Sequence, residues 1–126
     1  MNFITNKAIY LQIADDIADH ILAGDPAPEQ RIPSTRDLSA DYQVNINTVM
    51  RSVDYLQQKG IIINRRGIGF FVTPDAIEII KSIKVKNLMD NEMSYFFRRL
   101  ATAGITPDRL AELYAGYCPE NKVMPL

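Results

Sequence analysis

The segment Pro33–Gly60, PSTRDLSADYQVNINTVMRSVDYLQQKG, decides the fold. It holds two helix starts with a tight break between them. Ser34 can accept from the backbone N–H three residues on, and Asp37 can reach back, which is a capping box. Leu38 and Tyr42 lie one turn apart and give this short helix its buried edge. Gln43-Val44 is the break. Asn45 is placed to cap the next helix, which runs to about Lys59 and is closed by Gly60.

That helix has two faces. Val49, Val53 and Leu56 fall at i, i+4 and i+7 and share one side. Asn47, Arg51, Asp54 and Gln58 fall on the other, with Thr48 at the shoulder. An outward face of Asn, Arg and Gln behind an Asn cap is what a helix reading base edges presents.

Upstream, Ile9, Ile13, Ile17 and Ile21 recur every four residues, with Ala14 and Leu22 beside them, so a helix is predicted over about Ile9–Ala23. Gly24 sits where a C-terminal cap belongs, and Asp25-Pro26-Ala27-Pro28 reads as a loop. Downstream of Gly60 the period changes. Ile61-Ile62-Ile63 and Phe70-Phe71-Val72-Thr73 read as strands around the turn Arg65-Arg66-Gly67-Ile68-Gly69. Three helices and a hairpin within about 65 residues are the winged helix-turn-helix layout, an α+β fold.

Thr73-Pro74-Asp75 marks a boundary, giving domains 1–74 and 75–126. Beyond it one long helix is predicted to about Ala103, with Leu88, Met89, Met93, Phe96, Phe97 and Leu100 at spacings of three and four. Gly104 ends it. Thr106 caps a last helix with Pro107 at its first position, followed by a loose tail from Pro119. Two helices cannot enclose a core of their own. Phe96, Phe97, Leu100, Leu113, Tyr114 and Tyr117 are therefore the expected dimer interface, with packing back on the first domain as the alternative.

Composition narrows the function. Apolar residues make up 47% and charged residues 23%, which is ordinary for a globular chain. The single cysteine, Cys118, forms no internal disulfide and reads as an inert thiol. No signal peptide and no membrane-length apolar run is visible. No metal-ligand cluster, phosphate loop or nucleophile elbow occurs, so no catalytic residue, metal or cofactor is expected. His20, the only histidine, reads as a surface residue near a helix C-terminus. Arg98-Arg99 reads as a solvated helix face.

A net charge of −1 argues at first against a nucleic-acid partner. Residues 8–30 carry Asp15, Asp16, Asp19, Asp25 and Glu29 without a Lys or Arg, which is −5. Residues 31–66 carry Arg31, Arg36, Arg51, Lys59, Arg65 and Arg66 against Asp37, Asp41 and Asp54, which is +3. The average conceals a basic segment next to an acidic one, and such a pattern orients a domain on DNA.

Three motifs occur in order. They are Ile9-Tyr10-Leu11-Gln12-Ile13-Ala14; Ile32-Pro33-Ser34-Thr35-Arg36-Asp37-Leu38 with Val44-Asn45-Ile46-Asn47-Thr48-Val49-Met50-Arg51; and Arg65-Arg66-Gly67-Ile68-Gly69-Phe70-Phe71-Val72. Over residues 7–73 they resemble the DNA-binding domain of GntR-type bacterial transcription regulators. The short helical tail is most similar to the YtrA-like subfamily. The resemblance implies a cytoplasmic homodimer on an inverted-repeat operator of double-stranded DNA. It implies a repressor or an activator, with repression expected, and a regulated operon of the transporter kind. Larger relatives carry a ligand-binding C-terminal domain. Here an effector small molecule would have to bind between subunits or between domains.

The resemblance also implies site residues. Arg36 would meet guanine or phosphate; its alternative is a surface ion pair with Asp37 or Asp41. Asn45, Asn47 and Thr48 would open the recognition helix against phosphate and base, with pure capping as the alternative for Asn45. Arg51 would reach phosphate or base, or else pair with Asp54. Arg65, Arg66 and Gly67 would form a basic wing tip reaching the minor groove or flanking phosphates. Ser34 and Thr35 would donate to phosphate or serve as helix caps. A winged-helix interaction module without DNA is the alternative function, and a missing or acidic recognition face would mark it.

Overall fold

The isoleucine stripe winds into α1 (Ile9–Leu22), which buries Ile13, Ala14, Ile17, Ala18 and Ile21. The computed structural model describes residues 7–117; Cys118 and the tail after it lie outside the described residues. After Leu22 the chain turns back at Gly24, whose N–H donates to the Ile21 carbonyl while Asp25 N–H donates to His20. This pair of bonds is a Schellman closure. The helix-turn-helix follows as α2 (Thr35–Tyr42) and α3 (Ile46–Gln58).

The turn between them repeats the Schellman closure without a glycine. Gln43 lies at φ 55° and ψ 49°, in the left-handed region. Val44 N–H donates to the Ser39 carbonyl at 3.2 Å, and Ser39 Oγ donates to the Val44 carbonyl at 2.6 Å. These two bonds hold a backbone that the side chain disfavours.

The core gathers α1, Leu38 of α2, and Val49, Val53 and Leu56 of α3. Ser52 is fully buried among them, a position the apolar periodicity passed over. Its hydroxyl donates to the Tyr10 carbonyl at 2.7 Å, which ties α3 to the start of α1. A buried hydroxyl without such a partner would be destabilising.

The hairpin is β1 (Ile62–Arg65) and β2 (Gly69–Val72), antiparallel, in the register Ile62↔Val72, Ile63↔Phe71, Asn64↔Phe70 and Arg65↔Gly69. Ile62 and Val72 face the core; Ile63, one residue on, is 50% exposed. The far edge of β2 is also occupied. Glu29 N–H donates to the Val72 carbonyl, Val72 N–H to Gln30 and Ile32 N–H to Phe70, and Arg31 stands opposite Phe71. The stretch before α2 thus serves as a third short strand.

After Thr73 comes α4 (Ala76–Asn91). Its first turns bury Ala76 and Ile80 in the same core, and Lys84 pairs with Asp19 of α1 at 2.7 Å. The first compact unit therefore extends to Lys84, beyond the Pro74 boundary read from the sequence. The second begins at Val85 within the same helix. The single helix expected to reach Ala103 is divided into α4 and α5 (Met93–Thr102). Glu92 separates them at φ −122°, directly after Asp90-Asn91, two residues of weak helix propensity. The ladder is carried over by Glu92 N–H to Leu88 and Phe96 N–H to Glu92. The tail therefore holds the end of α4 and two further helices. The last is α6 (Pro107–Tyr117), where Thr106 Oγ1 accepts from Arg109 N–H at 3.2 Å. Neither α5 nor α6 contains a buried residue.

Burial separates two isoleucines of the first unit. Ile21→Ala, at a position with 0% exposure, is expected to cost about 2–5 kcal/mol. Ile63→Ala, on the outer strand face, is expected to stay within about 0.5 kcal/mol. Urea unfolding midpoints of the two variants check this.

Candidate nucleic-acid interface

The candidate interface comprises helix starts and one hairpin. Ser34 Oγ accepts from Asp37 N–H at 3.1 Å as the α2 cap, which leaves its O–H as a donor. Asn45 Oδ1 accepts from Asn47 N–H at 2.7 Å and caps α3. The capping alternatives named for Ser34 and Asn45 are thus realised, while the Asn45 side-chain amide retains its donors. Thr35 is half-buried at the first position of α2. Arg36 follows it, exposed, and among the described residues no carboxylate lies within ion-pair distance of it.

On α3, Asn47 and Arg51 are exposed and Thr48 is half-buried at the shoulder. Arg51 does not pair with Asp54. Its Cζ lies 4.2 Å from the centroid of the Tyr10 ring, a cation–π contact from α1. Tyr10 and Ser52 therefore act together: the Tyr10 carbonyl holds the helix and its ring seats the arginine. Ile46 and Met50, one turn apart, stand 42% and 49% exposed on the same outward side. Sequence reading did not place Met50 or Tyr10 beside the outward face of α3, because apolar side chains are ordinarily assigned inward.

In the wing, Arg66 and Gly67 occupy the exposed turn, with Gly67 at φ 78°. Arg65 lies over the Phe71 ring with Cζ 4.4 Å from its centroid. The arginines of the two regions are held by aromatic faces or left open, rather than neutralised by acids.

Three acids of α1 are engaged. Asp15 pairs with Lys7, Asp19 with Lys84, and Asp16 accepts from the Tyr42 hydroxyl at 2.5 Å. His20 Nε2 lies 3.5 Å from the same carboxylate. Burial and the Asp16 hydrogen bond hold the Tyr42 phenol above its ordinary value, so it stays a donor. Asp16, His20 and Tyr42 border an open hollow of about 820 Å³ between α1 and α2, where Asp25, Asp37 and Asp41 also lie. Among the described residues no group of three or more His, Cys, Asp or Glu is placed to hold a metal ion. Nor is any described helix long and apolar enough to cross a membrane.

The family model for bacterial regulatory proteins of the gntR family matches residues 9–72, the span from α1 to the end of β2. The chain is 33% identical over 110 residues to the uncharacterised HTH-type transcriptional regulator YhcF of Bacillus subtilis (strain 168), covering 87% of this chain and 89% of YhcF. It is 34% identical over 72 residues to the HTH-type transcriptional repressor YtrA of the same organism, covering 57% of this chain and 55% of YtrA. A GntR-family structure from Bacteroides thetaiotaomicron superposes with a TM-score of 0.74 at 45% identity, covering 91% of this chain and 100% of that one. A capped helix-turn-helix and a basic wing in one unit agree with these similarities, and the chain belongs to the GntR family of helix-turn-helix transcription regulators.

Proposed function

We propose that the protein is a cytoplasmic repressor that binds an inverted-repeat operator as a homodimer. The observation that carries this reading is the set Arg36, Arg51, Arg65 and Arg66, exposed and free of carboxylate partners among the described residues. The start of α3 enters the major groove. Asn45, Asn47 and Thr48 meet base edges and phosphate there, and Ile46 and Met50 supply apolar contact for thymine methyls. Arg36 fixes the α2 end, with Ser34 and Thr35 beside it, and Arg66 with Gly67 takes the wing tip to the minor groove. The similarity to a protein named a repressor, YtrA, supports repression as the direction of control.

The dimer is carried by the second unit. Phe96 and Phe97 are each 46% exposed, Tyr114 59% and Tyr117 82%. With Leu100 and Leu113 they leave an apolar surface that water would otherwise cover. A second copy of the chain buries it.

Selection of bound fragments from a genomic library should enrich inverted repeats whose half-site centres lie one turn apart, roughly 34–36 Å. Enrichment of no sequence would refute the regulator reading. The double variant Arg36→Ala with Arg66→Ala should bind the selected site at least about thirtyfold more weakly at low salt, since each lost contact is worth ~1–3 kcal/mol. An unchanged affinity would remove these residues from the interface. For the dimer, Phe97→Asp in the full chain should sediment as a monomer with an unchanged helical spectrum. A persistent dimer would place the interface elsewhere.

A further inference from the structure

The outer face of the wing holds a second arginine that the interface above does not use. Arg31 stands opposite Phe71 across the far edge of β2, and Ile63 stands opposite Phe71 on the near edge. Side chains opposite one another in a ladder share a face, and so do residues two apart. Arg31, Phe71, Ile63, Gly69 and Arg65 therefore share the face that points away from the core, while Ile62 and Val72 point into it.

On that face the two guanidiniums lie across β2 from opposite sides. Arg65 comes from β1 and covers the Phe71 ring at 4.4 Å. Arg31 comes from the other edge and lies against Gly69. A Cβ at position 69 would stand 2.7 Å from Arg31 Nε and 3.2 Å from its Cζ. Gly69 also has φ +141°, so its lack of a side chain serves both the backbone and the arginine. The two supports, Gly69 and Phe71, are two residues apart, about 7 Å along the strand. Arg31 also borders the acidic hollow, yet no carboxylate there comes within ion-pair distance of it.

Two exposed like charges, seated by packing and left without an acid, form a site for an anion. A guanidinium laid flat on a surface keeps its N–H edges free, and those edges match phosphate oxygens. We propose that Arg31 and Arg65 together grip the phosphodiester backbone of duplex DNA beside the half-site, extending the interface from the wing tip onto the outer face of its sheet. This rests on the DNA-binding reading. The contact is to backbone, so it carries affinity without sequence preference.

The test is the salt dependence of binding by the full-length protein, measured for the selected operator and for a random duplex. Arg31→Ala removes two contacts per dimer, so it should weaken both by the same factor, about 25-fold to 100-fold, and should lower the slope of log K against log salt by about 2. Arg31→Lys should keep the slope. A purely structural role would lower the melting temperature of Arg31→Ala and leave the slope at the wild-type value, which would overturn the inference while the regulator reading stands. A wild-type protein that binds no duplex would overturn both. A titration with inorganic phosphate separates the sources. Phosphate binding that depends on Arg31, with an unchanged DNA slope, would make this a site for the free anion and refute the DNA assignment.

Discussion

The burial of one face of α3 against α1 is the interaction on which the rest of the molecule depends. Val49, Val53 and Leu56 pack with Ile13, Ile17 and Ile21, and the Ser52 hydroxyl joins the Tyr10 carbonyl inside the same contact. A helix pinned on one side presents a defined other side. Asn47, Arg51, Ile46 and Met50 hold their outward positions because the inward face has no freedom to rotate. The same contact supplies the Tyr10 ring beneath Arg51, so anchoring and aiming come from one residue.

Two features show local preference yielding to this arrangement. Gln43 accepts a left-handed backbone so that α2 and α3 meet at the required angle, and Ser39 supplies the hydrogen bond that holds it. Glu29 also lies at positive φ, 68°, where the chain swings in to pair with β2. That pairing covers an edge that a two-stranded hairpin would leave open. It also sets Arg31 on the wing. The two strained residues thus sit at the joints that place the recognition helix and the wing.

The distribution of charge follows from the same geometry. The acids of α1 are tied to Lys7, Lys84, Tyr42 and His20, which quiets much of the negative segment. The arginines of α2, α3 and the wing are instead supported by Tyr10, Phe71 and Gly69, or are open to water. Uncompensated positive charge is what a polyanion recruits. A near-neutral total is therefore compatible with a basic surface.

Much of the fold was legible in the sequence, because it is written in short-range patterns. The i, i+4 stripe of α1, the Ser34 and Asn45 caps, Pro107 behind Thr106 and the β-branched strand runs each act within a few residues. Chain-local physics was enough to order three helices and a hairpin, and to split α3 into an inward and an outward face. Tertiary structure decided what depends on residues far apart. It brought Tyr10 beneath Arg51 across 41 positions of chain and Arg31 onto Gly69 across 38. It drew Ala76 and Ile80 into the first core and so moved the boundary to Lys84. It also interrupted the long helix at Glu92. A pattern of apolar spacing fixes which face of an element is buried, but not which distant residue meets it, since that partner is chosen only when the elements pack.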